Sequence, residues 1–201
     1  MKIYLSPSLQ EDNIGTGDYG TEQKRMNELC TILSPMLKKY GHTVYRNTPD
    51  MTLTKAINDS NNKKVDIHIA LHSNGFNGTI QGAEIFHNKG SVKGKKLATD
   101  IYKYIESITL TIDRGVKESS TLGELKYTIA PAVIIEVGFH DNIKDANWII
   151  NNIPLIAESI TKGINDYAGI KNIDTVTIKI DYEKQWYSLL AELKTIVNKY
   201  K

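Results

Sequence analysis

The chain has 201 residues, of which 40% are hydrophobic and 24% are charged, so it can form one folded domain with an appendage. Its 25 basic residues nearly balance its 23 acidic residues, and the net charge of +2 argues against a general nucleic-acid-binding protein. The sequence has no apolar stretch near the roughly 18 residues that a membrane span needs, and its single cysteine excludes an intramolecular disulfide.

Short apolar runs alternate with stretches of helical periodicity along the first 168 residues. The strand-like runs cover residues 2–6, 43–47, 65–72, 82–86 and 132–137, with a weaker one at 124–128. The helical stretches cover residues 21–40, 52–64, 92–108 and 143–168. Within them, Pro35 predicts a kink or restart and Pro154 predicts a break. The alternation predicts an α/β fold: a mostly parallel twisted sheet of about six strands with helices on both faces.

The pattern changes after Gly169, which we take as a domain boundary. Residues 174–180 alternate like a strand, and residues 182–200 have an amphipathic helical pattern. We therefore expect a domain over residues 1–169, followed by a C-terminal strand and helix appendage over residues 170–201.

Candidate functional side chains follow the carboxyl ends of several predicted strands, which is where ligands gather in open α/β sheets. The first strand leads to Gln10, the third ends at His72 and the last carries Glu136. The long polar loop after the first strand leads to Glu22 at the start of the first helix. A histidine with two glutamates suits a catalytic zinc ion, which takes about three protein ligands and leaves one position for water.

Structural roles would also explain some of these residues. Glu22 could be an acidic residue stabilised by the helix dipole, and His72 could be a core histidine. Glu136 lies in an otherwise apolar run, where a carboxylate is costly unless it has a cation or metal partner or a raised pKa. His68 shares a strand with His72 but lies about 13 Å from it, at about 3.3 Å per residue, so one ion cannot bind both. We expect His68 to be a core or lining residue.

Several segments resemble those of the zinc-dependent N-acetylmuramoyl-L-alanine amidases (amidase type 3), and especially the catalytic domains of clostridial phage and prophage endolysins. The segments are LSPSLQ (5–10), GTE (20–22), ALHSN (70–74), GAEIF (82–86), DRGVK (113–117) and PAVIIEVGFHDN (131–142). The resemblance covers residues 1 to about 168. It implies a zinc-dependent amidase with an α/β fold, which cleaves the amide bond between N-acetylmuramic acid and L-alanine in peptidoglycan.

The resemblance also implies roles for individual residues. Glu22 and His72 correspond to zinc ligands, and Glu136 corresponds to the catalytic carboxylate. Most of the family has a histidine after the first strand, where this chain has Ser-Leu-Gln. Gln10 is therefore the expected third ligand, with Asp12 and Asn13 as alternatives.

Peptidoglycan is the partner that the resemblance implies, with Asn74 and His140 as candidates to contact it. Because the chain begins without the apolar core of a signal peptide, we expect synthesis in the cytoplasm, release by lysis and action on the cell wall. The apolar stripe of residues 182–200 could mediate self-association or lead to a cell-wall-binding domain. The alternative function is a non-catalytic wall-binding module on the same scaffold, whose metal site has decayed through loss of the first histidine.

Overall fold

The computed structural model describes residues 1–109 and 112–172. Their strands are β1 (Lys2–Pro7), β2 (Thr43–Arg46), β3 (Ile67–Asn74), β4 (Glu84–Asn88), β5 (Val116–Ser119) and β6 (Ala132–Phe139). Their α-helices are α1 (Glu22–Lys39), α2 (Leu53–Asn62), α3 (Val92–Glu106), α4 (Gly123–Tyr127) and α5 (Ile143–Ala168). The strand and helix predicted for residues 174–180 and 182–200 lie outside the described residues.

The six strands form one sheet in the order β2-β1-β3-β6-β4-β5, which confirms the predicted α/β fold. Neighbouring strands are parallel, except that β4 runs antiparallel to β6. The carboxyl ends of β1, β3 and β6 therefore meet at one edge of the sheet. There, His72 of β3 is the register partner of Glu136 of β6, and Glu136 is also paired with Glu84 of β4.

Both faces of the sheet are covered by helices, which explains the nearly continuous apolar runs of β3 and β6. The larger core lies between one face and helices α1, α3 and α5, and the smaller one includes Leu125 of α4. Because adjacent strand residues point to opposite faces, Ile135 belongs to the larger core and Ile134 to the smaller one. None of the described helices is both long and apolar enough to cross a membrane.

The prediction of a weak strand over residues 124–128 was wrong, because Gly123–Tyr127 forms helix α4. Glu, Leu and Lys are good helix formers, and this short helix turns Leu125 into the core. The strand that occupies the sheet edge instead is β5, whose sequence VKES was not predicted as a strand. The prediction of six strands holds, but one of the six was misplaced.

The two prolines inside predicted helices behave differently. Helix α5 has a non-helical residue at Asn152 (φ −125°, ψ 16°), two residues before Pro154, so the predicted break is present as a kink. Helix α1 continues through Pro35, contrary to the predicted kink or restart. Leu33 and Leu37, on either side of Pro35, are fully buried, and we attribute the continuity of α1 to this packing.

Candidate active site

Glu22 is placed at the sheet edge by the start of helix α1. Thr21 caps the helix, because its side-chain oxygen accepts a hydrogen bond from the backbone N–H of Lys24 (3.2 Å). The backbone N–H of Glu22 donates to the carbonyl oxygen of Asn13 (2.9 Å), which ties the preceding loop to the helix. As a result the Glu22 side chain is only 1% exposed and points toward the end of β3.

Glu22 and His72 are in direct contact. Glu22 Oε1 lies 2.8 Å from His72 Nδ1, and Glu22 Oε2 accepts a hydrogen bond from Asn13 Nδ2 (2.8 Å). Burial by itself would raise the pKa of Glu22, but the hydrogen bond and charge of His72 outweigh it and lower that pKa. A carboxylate oxygen beside an imidazole nitrogen supplies two of the ligand types that zinc prefers.

Gln10 joins this pair through Asn13. Asn13 Nδ2 also donates to Gln10 Oε1 (2.8 Å), so one amide group contacts both Gln10 and Glu22. Asp12 lines the same pocket. Over residues 1–109 and 112–172, no group of three or more His, Cys, Asp and Glu side chains is arranged to hold a metal ion. Gln10, Asp12, Asn13 and water therefore all stay candidates for a third ligand.

Glu136 lies beside His72 in the neighbouring strand. Its Oε2 is buried and has no hydrogen-bond partner among the described residues, although the residue as a whole is partly exposed. Burial raises the pKa of Glu136 to about 7, with nearby His72 opposing the rise and Glu22 and Glu84 adding to it. A carboxyl group with this pKa can both accept and release a proton near neutral pH.

Asn74 lines the pocket, and its side chain is also hydrogen-bonded to Glu84 of strand β4. Its Nδ2 donates to Glu84 Oε1 (2.9 Å), and Glu84 Oε2 contacts Arg114 Nε (2.8 Å) and Lys117 Nζ. The negative charge of Glu84 is therefore compensated by two basic side chains, unlike that of Glu136. The network fixes the Asn74 side chain at the pocket wall.

His140 lines the same pocket but is only 5% exposed. Its Nδ1 lies 2.9 Å from both Oγ and the carbonyl oxygen of Ser73, and its ring packs at 5.7 Å from that of Tyr19. Tyr19 Oη in turn contacts Ser73 Oγ at 2.6 Å. These contacts connect the loop after β6 to β3, so His140 is held as part of the wall.

Sequence reasoning missed Glu124, which lies on α4 behind His72. Its side chain is 5% exposed, with Oε1 at 2.9 Å from His68 Nε2 and Oε2 at 3.6 Å from His72 Nε2. His68 is fully buried, in agreement with the core or lining position expected for it. The sequence does show an acidic residue between Leu122 and Leu125. Because residues 124–128 were predicted as a strand, the side chain of Glu124 was not expected to face the site.

Residues 3–166 match the family described as N-acetylmuramoyl-L-alanine amidase. Among curated proteins, the chain is 33% identical over 126 residues to an uncharacterized cell wall amidase of Bacillus anthracis. That alignment covers 58% of this chain but only 24% of the relative, so the chain spans about a quarter of that protein's length.

Solved structures of amidase catalytic domains have the same fold. The catalytic domain of the N-acetylmuramoyl-L-alanine amidase CwlV from Bacillus (Paenibacillus) polymyxa superposes with a TM-score of 0.77 at 20% identity, covering 85% of this chain and 99% of that one. The catalytic domain of an endolysin targeting Clostridia difficile superposes with a TM-score of 0.72 at 26% identity, covering 87% and 99%.

Proposed function

The chain belongs to the N-acetylmuramoyl-L-alanine amidase family, and on this premise we propose that it is a peptidoglycan hydrolase. The bond cleaved is the amide between the lactyl group of N-acetylmuramic acid and L-alanine. The observation that carries the proposal is the meeting of Glu22, His72 and Glu136 in one pocket at the carboxyl edge of the sheet. This is the edge at which open α/β sheets bind their ligands.

The residues of the pocket fit a zinc ion, on which amidases of this family generally depend. Glu22 and His72 would hold it, and Gln10 would supply an amide oxygen as the third ligand. The buried Oε2 of Glu136, which lacks a hydrogen-bond partner among the described residues, supports the fit, because a buried anionic oxygen favours a nearby cation. When bound, zinc polarises a carbonyl group and lowers the pKa of water.

Glu136 is the proposed general base and acid. In its carboxylate form it accepts a proton from the water that attacks the lactyl carbonyl carbon. In its protonated form it donates that proton to the nitrogen of L-alanine as the C–N bond breaks. A pKa near 7 suits both steps, since neither protonation state is strongly disfavoured at neutral pH.

Digestion of purified peptidoglycan, followed by mass spectrometry of the products, tests the activity. We expect new L-alanine N-termini from the wild type. Glu136→Gln should lower the rate by about 10²- to 10⁴-fold while keeping bound zinc, because the base is lost and the ligands remain. Glu28→Gln is the matched control, since Glu28 pairs with Arg25 outside the pocket, and it should digest walls at the wild-type rate. An undiminished rate in Glu136→Gln would refute the proposed role.

Zinc affinity tests the choice of third ligand. Gln10→His should preserve or tighten zinc binding, because imidazole binds zinc more strongly than a neutral amide oxygen does. Gln10→Ala should weaken it. Both affinities can be measured by competition with a chromophoric chelator. Unchanged affinity in Gln10→Ala would exclude Gln10 and leave Asn13, Asp12 or water.

A wall-binding module without catalysis is the second candidate function. It is favoured by the absence of a histidine in the loop between β1 and α1, which leaves Glu22 and His72 as the two ligands that correspond to those of the family. Such a module would bind purified walls without releasing L-alanine N-termini, and a chelator would not affect the binding. The digestion experiment therefore separates the two functions.

Further proposals concern the surroundings of the site. We propose that Asn74 and His140 line the path of the peptidoglycan strand. The domain boundary near residue 170 stays a prediction. Self-association through residues 182–200, or a link from them to a cell-wall-binding domain, also stays a prediction, because these residues lie outside the part of the chain that the structure describes. Synthesis in the cytoplasm with release by lysis likewise stays a prediction.

A further inference from the structure

A buried row of polar side chains begins at Glu124, which lines a pocket with His72 and Glu136, and extends from there into the fold. Glu124 Oε2 lies 3.6 Å from His72 Nε2, and Glu124 Oε1 lies 2.9 Å from His68 Nε2. The other ring nitrogen of His68, Nδ1, lies 2.9 Å from Ser60 Oγ. His68 and Ser60 are fully inaccessible to solvent, and Glu124 is nearly so.

The fold alone gives little reason for this row. A buried carboxylate with two imidazoles is costly to desolvate, and replacing such groups with apolar side chains of similar size is often neutral or stabilising. The neighbouring residues of the smaller core, Leu125 and Ile134, are apolar, so apolar side chains in place of the whole row would suit their surroundings, whereas removing Glu124 alone would leave His68 Nε2 unpartnered. The position of Glu124 therefore calls for an explanation at the site.

The two ring nitrogens of His72 face two different carboxylates. Nδ1 faces Glu22, and Nε2 faces Glu124, which lines an adjoining pocket with His72 and Glu136. A histidine that binds a metal through one nitrogen commonly donates its other N–H to a carboxylate, which fixes the ring orientation and tautomer and makes the ring a stronger ligand. The contact at 3.6 Å is longer than a hydrogen bond, but its geometry places an acceptor on the correct side of the ring.

We propose that Glu124 is a positioning residue for His72: held by His68, which Ser60 holds in turn, it orients the His72 ring and favours the tautomer that presents Nδ1 to zinc. The inference rests on the proposed function, since it assigns Nδ1 to the metal. It also bears on the unusual third ligand. With a neutral amide oxygen in place of a histidine, the site depends more on the donor strength of His72, which a carboxylate at Nε2 increases.

Zinc affinity of the full chain tests this inference independently of catalysis. Competition with a chromophoric chelator should show an affinity about 10- to 100-fold weaker in Glu124→Gln than in the wild type. The absorption spectrum of the cobalt-substituted protein should change as well, because the orientation of a coordinating ring changes. Glu28→Gln, which removes a carboxylate outside the pocket by the same substitution, should match the wild type in both measurements.

A second variant covers the case in which Glu124→Gln does not fold. Glu124→Asp keeps the charge but is shorter by one methylene group, so it cannot reach both histidines equally well. Its zinc affinity should be weaker than that of the wild type, and where Glu124→Gln folds it should lie between the two. Partial recovery of this kind supports positioning by a charged oxygen.

The outcomes separate this inference from the proposed function. Wild-type zinc affinity and an unchanged cobalt spectrum in both folded Glu124 variants would overturn the inference alone. Loss of zinc binding as complete as in Glu22→Gln would make Glu124 a ligand and would also overturn it. A wild-type chain that binds no zinc would overturn the proposed function together with the inference.

Discussion

Three buried or partly buried glutamates at the site are distinguished by their partners. Glu22 contacts His72 and Asn13, and Glu84 contacts Arg114 and Lys117. Glu136 lies between these networks, and its Oε2 has no hydrogen-bond partner among the residues that the structure describes. The negative charge of Glu136 is therefore the least compensated of the three, which is the condition for a carboxyl group that keeps its proton near neutral pH.

The raised pKa of Glu136 predicts a pH-dependent effect on stability. Its pKa is about 7 in the folded protein against 4.5 for a solvated glutamate, so between these values the folded state binds a proton that the unfolded chain has lost. The stability that this proton contributes is fully present below pH 4.5 and is lost as the pH rises through 7. Glu136→Gln cannot ionise and escapes that loss.

In the absence of metal, Glu136→Gln should therefore become more stable relative to the wild type as the pH rises. Between pH 4.5 and pH 8 the difference in the free energy of unfolding should shift in favour of the variant by about 2–3 kcal/mol. Urea denaturation in the presence of a chelator measures both proteins at each pH. Glu28→Gln should follow the wild type throughout. A difference that stays constant with pH would show that the pKa of Glu136 is the same in the folded and unfolded states.

At the scale of secondary structure, the elements predicted correctly are those whose spacing of apolar residues follows from which of their faces are buried. Strands β3 and β6 are recognisable because both of their faces are covered, and α3 is recognisable by its apolar spacing. Strand β5 and helix α4 were not predicted correctly, since VKES lies at the sheet edge with a mostly polar sequence and α4 is only five residues long. The candidate ligands of β3 and α1 could be found from sequence, whereas Glu124 depends on the direction in which α4 turns it.

The close packing of helices α3 and α5 predicts the effect of one substitution. A Cβ atom added at Gly163 of α5 would lie 2.3 Å from Ile101 Cα and 2.7 Å from the Asp100 carbonyl oxygen, both in the backbone of α3. Gly163→Ala should therefore lower the free energy of unfolding by about 1–3 kcal/mol, because the helices must separate. The better helix propensity of alanine, worth up to about 1 kcal/mol, offsets only part of this cost.

Gly123→Ala is the control for that substitution. The nearest atom to a Cβ at Gly123 is a side-chain carbon of Leu53 at 3.7 Å, an ordinary contact, so this variant should be within about 0.5 kcal/mol of the wild type. Chemical denaturation compares the two. Equal stability of both variants would mean that α3 and α5 can move apart without cost.

At the scale of the whole molecule, the proposed zinc ligands come from parts of the chain that are distant in sequence. Gln10 follows β1, Glu22 begins α1 and His72 lies in β3, so the three residues come from three separate elements. An unfolded chain does not hold these three groups together, so the proposed zinc ion would bind the folded state preferentially. Zinc binding should therefore be coupled to the stability of the whole domain.

This coupling predicts that zinc raises the unfolding temperature. Free zinc at about 100 times its dissociation constant should add about 2.7 kcal/mol to the free energy of unfolding, which for a domain of this size is a shift of about 5–10 °C. Differential scanning calorimetry with zinc and with chelator measures it. Glu22→Gln should lose most of the shift because a charged ligand is removed, whereas Glu28→Gln, altered six residues later in the same helix, should retain it. An equal shift in both variants would place the stabilising zinc ion at another site.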